Sequence, residues 1–146
     1  MSVKVAMPRD PGCQAWQLLS QLAPLMRAHW ADLAAEFDLS PAQGMTLRRL
    51  EPGKPVPMNS LVDVLLCDAS NVTGIVDKME ARGLIERQAS PDDRRVKMLL
   101  LTARGTDLRK KFLERSSEPP ASIAALPADD QKRLCAILQR LLDHQG

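Results

Sequence analysis

The chain has 146 residues, of which 45% are apolar, 26% charged and 3% aromatic, so it is long enough for one domain with a real core. Two Phe, two Trp and no Tyr argue against a β-sandwich, and the balance suits a soluble helical protein. The net charge is only +2, no apolar run approaches the ~20 residues of a membrane span, and MSVKVAMPRDPG does not read as a signal peptide.

From Gln14 to Phe37 the apolar residues Leu18, Leu19, Leu22, Leu25, Met26, Trp30, Leu33 and Phe37 recur at helical spacing. Pro24 lies inside this stripe and predicts a kink or break. Ser40, Pro41 and Gln43 then read as N-cap, first helical residue and third helical residue of a helix running to about Leu50. EPGKPVP (51–57) reads as a breaker-rich loop, followed by a short helix from about Asn59 to Leu66. Asp68 is the expected N-cap of the next helix, whose apolar stripe is Ala69, Val72, Ile75, Val76 and Met79 and whose end is Gly83. Leu84 to Gln88 and Val96 to Leu101 are strand-like and joined by ASPDDRR, which predicts a hairpin with an extended tip. A polar helix from Thr102 to about Arg115 follows, then the joint SSEPPAS. Pro127 opens a last helix with Asp129 and Asp130 in its first turn and an apolar face of Leu134, Ile137, Leu138, Leu141 and Leu142.

A short helix, a tight turn, a helix with a polar outer face and then a hairpin is the order of a winged helix-turn-helix. The fold class expected is therefore mainly α with one small β-hairpin. Charge agrees with that placement: residues 68–115 carry eleven basic and eight acidic side chains, and the flanks are balanced or slightly acidic. On the 68–83 helix, Ser70, Thr73, Gly74, Asp77 and Lys78 lie opposite the apolar stripe, with Asn71 near its edge. Small hydrogen-bonding side chains there can reach base edges and phosphates. Gly74 in mid-helix costs about 1 kcal/mol relative to Ala, and close approach to a DNA backbone is one reason to keep it. Arg94 and Arg95 at the hairpin tip can reach a minor groove, and Asp93 stands close enough to hydrogen-bond the Arg95 guanidinium. The bland alternative is an amphipathic helix with a solvated face and a solvated turn whose ion pair is worth ~0–1 kcal/mol. The two features in tandem favour DNA.

The stretch DASNVTGIVDKMEARGLIERQASPDDRRVKMLLLTARG (68–105) resembles the winged helix-turn-helix core of MarR-type transcription regulators. The most specific part of the likeness is D-x-R-x-x-x-L-x-L-T-x-x-G, here Asp93, Arg95, Leu99, Leu101, Thr102 and Gly105. The resemblance implies a single domain over 1–146, with the winged core at about 39–112 and dimerisation helices at 12–37 and 116–146. It implies Arg95 as the side chain inserted in the minor groove, Asp93 as its brace, and Ala69–Arg82 as the recognition helix. It also implies a homodimer on an inverted-repeat operator of double-stranded DNA, acting as a repressor released by a small-molecule effector. Two positions depart from the family pattern: Leu66 or Cys67 stands where Gly is frequent in the turn, and Pro57-Met58 where Ser or Thr caps the short helix.

Trp16, Arg27, His29 and Trp30 are the candidate ligand-pocket residues, against a reading as core, interface or solvated side chains. Cys13, Cys67 and Cys135 are scattered with no C-x-x-C, which fits a reduced, cytoplasmic protein with no disulfide framework. The oxidant-sensing branch of the family carries a reactive Cys on the first helix with Tyr support. Cys13 sits about a turn too early for that role and the chain has no Tyr, while Cys67 and Cys135 read as packing residues. No metal or cofactor is expected from two distant histidines, His29 and His144. An enzyme is disfavoured, since no nucleophile–base order, phosphate loop or carboxylate pair stands out. A redox regulator using Cys13 and a protein-binding winged-helix module remain as alternatives.

Overall fold

A computed structural model describes residues 10–65 and 69–144, with side chains from Asn71 onward in the second segment. In chain order the elements are α1 (Pro11–Ala35), α2 (Pro41–Arg49), β1 (Val56–Pro57), α3 (Ser60–Leu65), α4 (Ala69–Ala81), β2 (Ile85–Ala89), β3 (Lys97–Leu101), α5 (Ala103–Ser116), α6 (Ala121–Ala124) and α7 (Ala128–Asp143). The expected turn at Leu66 and Cys67 and the expected cap Asp68 lie outside the described residues. Two compact units divide at Leu113 and Glu114.

In the first unit, α1 starts where the Asp10 carboxylate accepts the Cys13 N–H at 2.8 Å, with Pro11 in the first turn. That hydrogen bond holds the Asp10 carboxyl below its ordinary value. The helix continues through Pro24, so the expected break is absent. Pro24 and Ser20, whose carbonyl loses its N–H partner there, are both exposed, and water can serve that carbonyl. The chain turns into α2 at Asp38, which takes a left-handed φ of 55°. The Arg82 guanidinium, at the end of α4, donates to the Asp38 carbonyl at 2.5 Å and so fixes this corner. The cap of α2 is the box read from the sequence: the Gln43 N–H donates to Ser40 Oγ at 3.2 Å and the Ser40 N–H to Gln43 Oε1 at 2.9 Å.

The sheet order is β1-β3-β2, all antiparallel. The hairpin pairs Ile85 with Leu101 and Ala89 with Lys97, one residue inside the expected strand starts. β1 corrects the expected loop: Val56 pairs with Leu99 and Pro57 with Met98. The strand is short and flanked by prolines, which conceals it in the sequence. Pro57 is tolerated because β1 is an edge strand with one side free of ladder bonds.

α4 ends as expected at Gly83, with φ +70°, the Leu84 N–H donating to the Met79 carbonyl at 3.0 Å and the Gly83 N–H to the Glu80 carbonyl at 2.8 Å. Thr102 joins this corner to α5. Its hydroxyl donates to the Gly83 carbonyl at 2.6 Å and accepts the Gly105 N–H at 3.0 Å. A Cβ on Gly105 would lie 1.8 Å from the Leu84 carbonyl oxygen, so only glycine lets α5 approach the sheet this closely. The L-x-L-T-x-x-G part of the motif is therefore architectural: Leu99 and Leu101 are core, Thr102 caps and Gly105 makes room. Leu33, Leu39, Leu47, Leu50, Leu61, Val72, Val76, Met79, Leu84, Ile85 and Phe112 complete one core cluster.

In the second unit, α6 is a single turn that starts at the end of the expected joint and runs two residues past it. Gln131 of α7 ties it down by donating to the Leu126 carbonyl at 2.9 Å. α7 begins after Pro127 with Asp129 and Asp130 in its first turn, as expected, and has no buried residue. Among the described residues no helix is long and apolar enough to cross a membrane.

Candidate nucleic-acid interface

α4 divides as its sequence pattern implies. Val72, Val76 and Met79 are buried, and Asn71, Thr73, Gly74, Asp77, Lys78 and Glu80 are exposed. The side chain of Ser70 lies outside the described residues. A Cβ built on Gly74 meets nothing within 4 Å, so packing inside the protein does not require glycine here. Asn71, Gly74 and Lys78 border a cleft of about 410 Å³ together with Ser40 and Gln43 at the start of α2. Asp77 does not stand free. Its carboxylate pairs with the Arg87 guanidinium from β2.

The wing tip is built by Asp93 in a way the sequence reading missed. Its Oδ1 accepts the backbone N–H of Arg95 at 2.9 Å, and its carbonyl accepts the Val96 N–H at 3.0 Å. The carboxylate thus shapes the turn, where the expectation was a grip on the Arg95 guanidinium. Short acidic side chains favour such local bonds to the backbone. Arg94 and Arg95 are exposed, and neither guanidinium has an ion pair among the described residues. Arg95 borders a second cleft, of about 270 Å³, with Val72 and Thr73 of α4, Asn59 just before α3, Val62 of α3, and Lys97. The wing arginine is therefore carried to the side of the exposed face of α4.

The ligand-pocket candidates are not gathered in the same manner. Trp30 is half-buried, its ring under the Arg48 guanidinium at 4.4 Å and edge-on to His29 at 6.0 Å between centroids. Trp16 is 71% exposed and lies about 20 Å earlier along the same helix, at 1.5 Å per residue. Arg27 is exposed. Cys13 is exposed in the first turn of α1, and Cys135, expected to be a packing residue, is exposed on α7. Sequence reasoning passed over Arg87, whose only signal was a basic residue on the inward register of a strand beside an i, i+3 pair of acids, Asp77 and Glu80.

Residues 39–97 match the model of the MarR family. The HTH-type transcriptional regulator MhqR of Bacillus subtilis is 29% identical over 104 residues, covering 70% of this chain and 72% of the relative. The HTH-type transcriptional repressor NicR of Pseudomonas putida is 25% identical over 93% of this chain and 87% of its own length. The fold is that of wild-type MarR from E. coli in its apo form, with a TM-score of 0.79 at 20% identity over 86% of this chain and 94% of that one. The matched segment covers α2 through the wing, the part that holds α4 and Arg95. Over that segment the chain is similar to the MarR family, and the relatives it matches are transcription regulators that bind DNA.

Proposed function

We propose that the chain is a homodimeric repressor that holds an inverted-repeat operator and leaves it when a small molecule binds. α4 enters the major groove, where Ser70, Asn71 and Thr73 meet base edges and phosphates, Gly74 admits the DNA backbone and Lys78 pairs with phosphate. Arg95 enters the neighbouring minor groove, with Arg94 at the backbone and Asp93 holding the turn. The observation that carries this reading is the cleft shared by Thr73 and Arg95, since a helix face and an exposed arginine side by side suit two adjacent grooves.

Dimerisation is supported by exposed apolar faces on α1 and on α7, each taken within its own unit. Leu18, Leu19, Leu22, Leu25 and Met26 on α1 are 41–65% exposed, and Ile137, Leu138, Leu141 and Leu142 on α7 are 40–67% exposed. Contiguous apolar faces of this kind mark association sites. The repressor role is supported by the relative named as one. A small-molecule signal is favoured over oxidation because the chain has no Tyr to support a Cys13 thiolate. Sedimentation of the full chain at micromolar concentration tests the assembly. A dimer is expected, and Leu138→Glu with Leu141→Glu should dissociate it. A wild-type monomer would rule the arrangement out.

A further inference from the structure

The geometry points to Arg87 as a positioning residue that locks the recognition helix to the wing, with Asp77 engaged in that grip and not in reading bases. The inference rests on the reading of α4 and Arg95 as the elements that face DNA.

Arg87 is central in the hairpin, paired across the ladder with Leu99. Strand alternation puts it on the same face as buried Ile85, while Glu86 and Gln88 are exposed. From that face its guanidinium reaches α4, pairing with the Asp77 carboxylate and standing 3.6 Å from Glu80 Oε2. Asp77 and Glu80 are three residues apart and so lie on one side of the helix. The Arg87 side chain is 27% exposed, against 57% for Asp77 and 40% for Glu80. Its Nε is buried without a hydrogen-bond partner among the described residues, so one edge of the guanidinium packs on protein while the other spans two carboxylates. A forked cation between two acids is a network, which is stronger and more directional than an isolated surface pair.

Two consequences follow. A carboxylate that reads a base in the major groove accepts from an exocyclic amine, cytosine N4 or adenine N6, and the Asp77 carboxylate is already engaged by Arg87. α4 and Arg95 must also reach two grooves at once, so the angle between helix and wing decides whether both contacts form. Arg87 is the side chain that ties one to the other. It also offsets one of the two negative charges that Asp77 and Glu80 place on a helix that has to approach phosphates.

The test uses the full chain and an operator duplex selected with the wild type. Arg87→Ala, Asp77→Ala and the double variant are titrated by fluorescence anisotropy over a range of salt, with thermal melting alongside. Each single variant is expected to bind about tenfold more weakly, and the double variant no worse than either. Base preference and salt slope should stay as in the wild type. The Arg95→Ala penalty should shrink in an Arg87→Ala background, which a change in stability alone would not produce. Arg87→Lys should recover binding in part, since an ammonium can reach one carboxylate but lacks the fork. If Arg87→Ala does not fold, Arg87→Lys crossed with Asp77→Asn supplies the same cycle. Additive losses, an altered base preference in Asp77→Ala, or a salt slope lower by one unit in Arg87→Ala would each overturn the inference while leaving the DNA-facing reading intact. A wild type that selects no duplex would overturn both.

Discussion

Gly74→Ala separates what folding needs from what DNA binding needs. Gly74 lies near the middle of the 13-residue α4, where glycine is about 1 kcal/mol worse than alanine. A Cβ there meets no heavy atom within 4 Å, so no clash offsets the gain. The position is exposed, so burial adds little. The variant should therefore be more stable by about 1 kcal/mol, raising the melting midpoint by roughly 5 °C for a unit of this size. If α4 brings its backbone against DNA at Gly74, the added methyl must displace one of the two. That should weaken operator binding by about 1–3 kcal/mol, the usual range for overpacking. Thermal melting and an anisotropy titration on the same preparation measure both effects. A stability gain with unchanged affinity would refute the close approach at Gly74, and a stability loss would refute the open space around it. Gly105→Ala is the contrast: its Cβ would lie 1.8 Å from the Leu84 carbonyl oxygen, and the variant should lose about 3 kcal/mol or more of stability.

Arg95→Ala should weaken operator binding by about 1–3 kcal/mol and lower the salt slope by about one unit in a titration across ionic strength. Asp93→Ala should weaken it less and leave the slope alone, because Asp93 acts through the Arg95 N–H and the shape of the turn. The first turn of α1 should fray on acidification. The Asp10 carboxyl is held below its ordinary value by the hydrogen bond from Cys13 N–H, so its contribution is present above the unfolded-state pKa and is lost as pH falls through the folded-state value. Hydrogen exchange of the amides near Cys13 should show this acid-side loss in the wild type and not in Asp10→Ala. Cys13→Ser should leave DNA binding and its response to peroxide unchanged in a gel-shift assay; a peroxide response abolished by that change would restore Cys13 as the sensor.

Local signals were readable in the sequence and remote ones were not. Ser40, Pro41 and Gln43 announced the start of α2 because a capping box is completed within four residues. Gly83 marked the end of α4 for the same reason, its left-handed φ being a local demand. β1 was hidden because its pairing with Leu99 and Met98 is formed some forty residues away and nothing within EPGKPVP records it. The D-x-R spacing told that Asp93 and Arg95 meet, but not that the carboxylate takes the backbone N–H in place of the guanidinium. Arg87 was invisible for a related reason: its partners Asp77 and Glu80 are on another element, and only the packing of β2 on α4 brings them together. Trp16, Arg27, His29 and Trp30 share a helix and suitable residue types, but residue type does not tell which side chains converge.

Selection of bound duplexes from a random pool tests the central claim most directly. The full chain should enrich an inverted repeat whose half-site centres lie ~10 base pairs apart, the spacing two copies of α4 related by a two-fold axis would demand. The enriched sequence should carry an A·T-rich segment flanking each half-site, where Arg95 would insert. Enrichment of a single unrepeated site, or of no sequence at all, would contradict the account.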